Sequence, residues 1–178
     1  MCGNSPCTKL VSPLLILTLC QADKGNPVQA KESMKRIWEV LENIKVNQEY
    51  MTDAFVASIS VAATYDLSES HVLLVHTERA IKFTSVDIEH DIVQMSKLIP
   101  LWVVKNNILM KSGNLVDRMS FFTKEIKPKI INAIDFSSMD PVAVTSLQQN
   151  LLYFSVEHLS DLKKTHRIHE GLALSQEL

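Results

Sequence analysis

Residues 26–49, NPVQAKESMKRIWEVLENIKVNQE, decide the fold. Asn26, Pro27 and Gln29 stand where a helix start wants a capping side chain, a first-turn proline and a side chain that reaches back to the cap. Met34, Ile37, Leu41 and Ile44 follow at steps of three and four, and Gln48, Met51, Phe55 and Ala62 extend the same stripe. That spacing lines one side of an α-helix. Lys35, Glu39, Glu42 and Glu49 stand opposite, and Glu32 and Arg36 are one turn apart, so the other side is solvated. The pattern predicts one helix over residues 27–65.

The same pattern recurs downstream. Asp66 and Glu69 form a second capping-box spacing ahead of Leu74, Ile81, Ile88, Ile92, Met95 and Ile99, with Pro100 expected to end or kink the run. A third helix is expected along Leu101, Val104, Ile108, Leu115, Met119, Phe122 and Ile126, with Gly113 weakening its middle and Pro128 stopping it. Asp140 and Pro141 open a fourth, striped by Val144, Leu147, Leu151, Phe154 and Leu162, which Gly171 is expected to end.

The expected fold is therefore all-α: an antiparallel bundle of about four long amphipathic helices plus short helical segments, since short links place long helices antiparallel. Its bundle domain covers residues 23–171, with a flexible tail over 172–178. With only 4 glycines and 6 prolines the chain is poor in the turn residues that a sandwich or barrel needs. Apolar residues at 46% and charged residues at 21% place it among globular chains and not disordered ones.

Residues 1–22 are of different composition, with Lys9 as their one charge. Two readings stand side by side. Lys9, the apolar run 10–19, and Cys20 and Ala22 before Asp23 follow the layout of a secretory signal peptide. Alternatively Ser12 caps, Pro13 opens and Gly25 stops a short helix. The first reading gives the secretory pathway and the second the cytoplasm. Ser175, Gln176, Glu177 and Leu178 resemble a relaxed form of the endoplasmic-reticulum retrieval tetrapeptide, which matters only under the first reading.

Chemistry is harder to find. Cys2, Cys7 and Cys20 all lie in the first twenty residues, so no disulfide framework staples the body and no zinc-finger spacing arises. His166 and His169 are three apart, but two ligands do not make a metal site. Glu89, His90 and Asp91 are adjacent on a helix and cannot face one another. His76 and His158 fall next to core stripes and are expected as buried histidines with one hydrogen bond each. Phosphate-loop, nucleophile-elbow and zinc-protease motifs are missing. No cofactor and no catalytic residue is expected.

The net charge of −2, without a concentrated basic surface, argues against nucleic acid as a partner. The short apolar run 10–19 argues against membrane association. Trp38 and Trp102 stand at the margins of apolar stripes and are the candidate partner-contact residues. Taken together, these features point to a non-enzymatic helical protein–protein interaction module or adaptor, its partner another protein. A secreted ligand of four-helix cytokine type and a carrier of a small apolar molecule are the alternatives.

Overall fold

The structure, a computed structural model, describes residues 10–43, 48–84, 92–136 and 140–177, with side chains at 10–43, 53–84, 95–135 and 140–176. Among these residues every regular element is a helix and there is no strand. The expected stripe residues Ile44, Gln48, Met51, Ile88 and Ile92 lie outside the described side chains, as do Glu89, His90 and Asp91, Lys9 with Cys2 and Cys7, and Leu178. Among the described residues no helix is long and apolar enough to cross a membrane.

The chain divides into two compact units, Met1–Val86 with Val103–Lys105, and Asp87–Trp102 with Asn106–Leu178. This differs from the single bundle domain expected over residues 23–171. The helices are also shorter and more numerous than the stripes suggest, because an unbroken apolar period does not register where the backbone turns.

In the first unit, α1 (Val11–Asp23) packs along α2 (Pro27–Asn43), α3 (Gln48–Thr64) packs on α4 (Ser70–Thr84), and both α1 and α2 touch α3. The stripe of the quoted segment is buried: Ala30, Met34, Ile37 and Leu41 on α2 are fully buried, as are Phe55, Ile59 and Ala62 on α3, which touches α2. Val11 and Thr18 are the buried side of α1. Two polar contacts tie α1 down. Ser33 Oγ donates to Gln21 Oε1 at 2.8 Å, and the Tyr65 hydroxyl donates to Asp23 Oδ1 at 2.8 Å. The Asp23 carboxylate favours the protonated phenol and so raises the Tyr65 pKa.

The second unit contains α5 (Ile92–Lys111) apart from its residues Val103–Lys105, together with α6 (Leu115–Phe121), a π-helical segment (Phe122–Ile126), α7 (Lys127–Phe136), α8 (Pro141–Lys164) and α9 (Ile168–Glu177). The long helix α8 is its spine and touches α6, the π segment, α7 and α9. Asp140 caps it, accepting from the backbone N–H groups of Val142 and Ala143 at 3.0 and 3.2 Å. Asn114 caps α6.

Four of these helices end in the same way. Gly25, Asp66, Gly113 and His166 hold φ of +74°, +52°, +72° and +58°. The next residue, Asn26, Leu67, Asn114 or Arg167, donates back to Gln21, Ala62, Leu109 or Leu162, which is the six-to-one closure of a Schellman turn. Gly113 therefore ends α5, where the sequence placed it inside a helix. Asp66 closes α3 and does not cap the next helix, which begins at Ser70. Pro100 lies inside α5. Residue 171, expected as a stop, lies inside α9, so the stretch read as a flexible tail is helical to Glu177, with Leu174 buried.

Pro128 does not stop its run either. It has no N–H to offer the carbonyl four residues back, and its ring crowds that carbonyl. The preceding turn widens into the π segment, and the helix then continues as α7.

Candidate functional site

The described residues contain two buried polar clusters, one in each unit, and several exposed apolar side chains on α8 and α9. In the second unit, Phe154, His158 and Asp161 recur at steps of four and three, so α8 turns all three toward its neighbours. The α6 helix brings Arg118 to them, and α5 brings Asn106. The guanidinium is almost fully buried and uses each of its nitrogens. Arg118 Nε donates to Asn106 Oδ1 at 2.8 Å, Nη1 to Asp161 Oδ1 at 3.0 Å, and Nη2 to Glu157 Oε2. Lys164 Nζ stands 3.7 Å from the same Asp161 oxygen. Phe122, first residue of the π segment, stacks on His158 with ring centroids 4.5 Å apart. Wide turns of this kind often sit beside functional groups.

This cluster is incompletely satisfied. Asn106 Nδ2, Asp161 Oδ2, His158 Nδ1 and the nearby Ser155 Oγ are buried without a hydrogen-bond partner among the described residues. The space enclosed by Asn106, Arg118, Phe122, Phe154, His158 and Asp161 is nevertheless too small for a water molecule. What the cluster does chemically is bind three helices together through one cation. Burial lowers the His158 pKa, because the charged ring is poorly solvated there. Asp161 opposes the shift, Arg167 adds to it, Glu170 opposes it and Arg118 adds to it.

The cluster of the first unit is built on a ring stack. Trp38 and His76 lie 4.2 Å apart and within 14° of parallel. Phe55 closes on His76, and Arg79 caps the rings of Phe55 and Phe83 at 5.5 and 5.7 Å. Glu42 Oε1 is 3.8 Å from His76 Nε2. The His76 pKa is lowered by burial, with Glu42 acting against the shift and Arg79 with it. His76 Nδ1 and Trp38 Nε1 have no hydrogen-bond partner among the described residues. Both His76 and His158 are thus buried as expected, but each rests on an aromatic face instead of the single hydrogen bond anticipated.

Trp38 and Trp102, the contact residues suggested by sequence, are 6% and 0% exposed. A partner reaches neither without opening the packing. His166 and His169 are exposed, but the left-handed backbone at His166 separates α8 from α9, and the two imidazoles do not share a helix face. Among the described residues no three His, Cys, Asp or Glu side chains are grouped as metal ligands. Sequence reading passed over Arg118 and Asp161. The available signal was a charge lying within apolar spacing: Arg118 one turn before Phe122, and Asp161 two turns after Phe154.

The apolar surface lies on α8 and α9. Val142, Leu152, Tyr153 and Val156 are exposed on α8, and Ile168 and Leu172 on α9. A groove lined by Leu159, Leu162, Lys163, Arg167, Ile168 and Leu172 runs where α9 crosses the end of α8. At Gly171 the two helices approach closely, since a Cβ there would meet Leu159 Cδ2 at 3.7 Å. Ile16 and Leu17 on α1, and Leu10 just before it, are also exposed. Compared with known proteins, the chain matches no family model, no curated protein and no solved structure.

Proposed function

We propose that this protein is a non-enzymatic interaction module that holds another protein against the exposed side of α8 and α9. The observation that carries the reading is the grouping of Leu152, Tyr153, Val156, Ile168 and Leu172 at the surface of one unit. Apolar side chains exposed one helical turn apart, as Leu152 with Val156 and Ile168 with Leu172, are costly in water, and larger exposed apolar patches mark contact sites. The arrangement of ionisable groups supports the absence of catalysis. Asp161 and Arg118 are buried and paired with each other, and Glu157, part exposed, is held by the same guanidinium, whereas a general acid or base must reach a substrate.

Two finer points belong to the same proposal. The helices of each unit pack as antiparallel, bundle-like neighbours, a reading favoured by the short link between α1 and α2 and by their lengthwise contact. The residues of α1 stay with the protein and are not removed as a leader. Their buried Val11 and Thr18, and the Gln21–Ser33 and Tyr65–Asp23 hydrogen bonds, favour this over the secreted-ligand alternative.

Proximity labelling in cells tests the reading. The full chain should label a reproducible set of neighbours, and the set should shrink when Leu172→Glu and Ile168→Glu are introduced together. An unchanged set would overturn it.

A further inference from the structure

The α8 helix has two opposite seams. Leu147, Leu151, Phe154, His158 and Leu162 face into the unit at steps of four and three. On the other side Val142, Thr145, Gln149, Leu152 and Val156 repeat at steps of three and four, and all five are exposed. A seam of that period is the geometry one helix offers to another. A stripe facing only water would carry charges, yet residues 141–156 contain no Asp, Glu, Lys, Arg or His.

We propose that this outer seam takes a second copy of the chain, paired antiparallel through α8; the proposal rests on the interaction-module reading and names the occupant of one of its faces. Self-pairing sets a strict condition, because each patch must tolerate its own image across a two-fold axis. A seam free of charge meets it without like-charge repulsion. The charges at its two ends select the direction. Asp140 stands exposed at the start of α8 and Lys163 exposed near its end. Antiparallel packing about a point between Gln149 and Leu152 puts Gln149 against Leu152 and Thr145 against Val156 of the second copy. Lys163 then falls opposite the start of the other α8, about two residues or roughly 3 Å along the axis from Asp140. Opposite charges meet at both ends, and the helix dipoles run in opposite directions. Parallel packing would bring like charges together at each end.

The size of the face sets the strength. A helix of 24 residues is about 36 Å long. One helix face of that length falls short of the roughly 800 Å² per partner typical of stable complexes. The dimer is accordingly reversible and concentration-dependent.

Sedimentation velocity of the full chain, from about 1 to 500 µM, tests this across the range where weak complexes form. The expected result is a monomer–dimer shift. Leu152→Glu and Leu152→Lys each raise the dissociation constant by about tenfold or more, while far-UV circular dichroism and the melting temperature stay unchanged because the side chain is half exposed. Mixing the two variants restores a one-to-one dimer. A monomer at every concentration, or a dimer that survives Leu152→Glu, overturns the proposal. If the chain is monomeric but its cellular neighbours still depend on Ile168 and Leu172, self-pairing alone is overturned and the adaptor reading stands. Loss of both results removes both.

Discussion

Arg118 Nη1 donates to Asp161 Oδ1 at 3.0 Å across 43 residues of chain, with both side chains at 2% exposure or less. Two charges taken this far from water are tolerated because each meets the other and the guanidinium also binds Asn106 and Glu157. Removing one partner leaves the other buried and uncompensated. Arg118→Met should cost about 3–5 kcal/mol of unfolding free energy. Replacing Arg118 by Met and Asp161 by Leu together should cost much less, because no fully buried lone charge then remains and the part-exposed Glu157 carboxylate keeps access to water. Urea melts of the two single variants and the double variant give the comparison. Additive losses would contradict this account of the clamp.

The two buried histidines set a pH dependence. Burial lowers the pKa of both His76 and His158, so the unfolded chain binds more protons than the folded one as pH falls through the ordinary histidine range. Their contribution is fully present above that range and is lost progressively below it. Between about pH 7.5 and 5.5 stability should fall, by at most about 1.4 kcal/mol per pH unit for each histidine. Chemical melts across this window should show the decline, and His158→Gln should flatten it. A flat profile in the parent chain would mean that neither imidazole is held neutral.

Neighbouring residues on α2 test the assigned core face. Leu41 is fully buried, and Glu42 points out toward His76 with its side chain 55% exposed. Leu41→Asp should cost about 3–5 kcal/mol by burying an unpaired carboxylate, and Glu42→Ala within about 1 kcal/mol. Equal losses in urea would place the face wrongly.

The helix ends give predictions of opposite sign. Gly113 and His166 both occupy left-handed backbone, which suits glycine and strains other residues. Gly113→Ala should lower stability by about 1 kcal/mol, and His166→Gly should raise it by a similar amount. Gly171 lies within a helix and has room for a Cβ, so Gly171→Ala should raise the melting temperature. Thermal melts of the three variants should rank in that order of sign.

The faces of the helices were legible in the sequence, and their ends often were not. Met34, Ile37, Leu41 and Phe55 are buried as their spacing requires. Period alone is blind to a turn that preserves it. Asp66 reads equally well as a cap and as a left-handed closure, and only the bond from Leu67 N–H to the Ala62 carbonyl distinguishes them. Prolines proved weaker stops than expected, because a helix held by packing survives the loss of one N–H at Pro100 and widens at Pro128. The Arg118 cluster was hidden for a different reason. A charge within an apolar stripe looks like noise until the residues that neutralise it arrive from distant helices. Trp38 and Trp102 were misleading because a large aromatic at the edge of a stripe serves a core as well as it serves a contact.

The widened turn at Phe122–Ile126 carries a consequence for chain length. Phe122, Ile126 and Ile130 are buried at successive four-residue steps, and in a regular α-helix each such step swings the side chain about 40° further round. The broad turn takes up part of that rotation. Thr123, Lys124 and Glu125 within it face solvent. Excising one of them would draw the coil back to ordinary pitch while leaving the greasy residues on either side aimed inward. Most helices lose their phase when a single residue is deleted, but this one has slack to give.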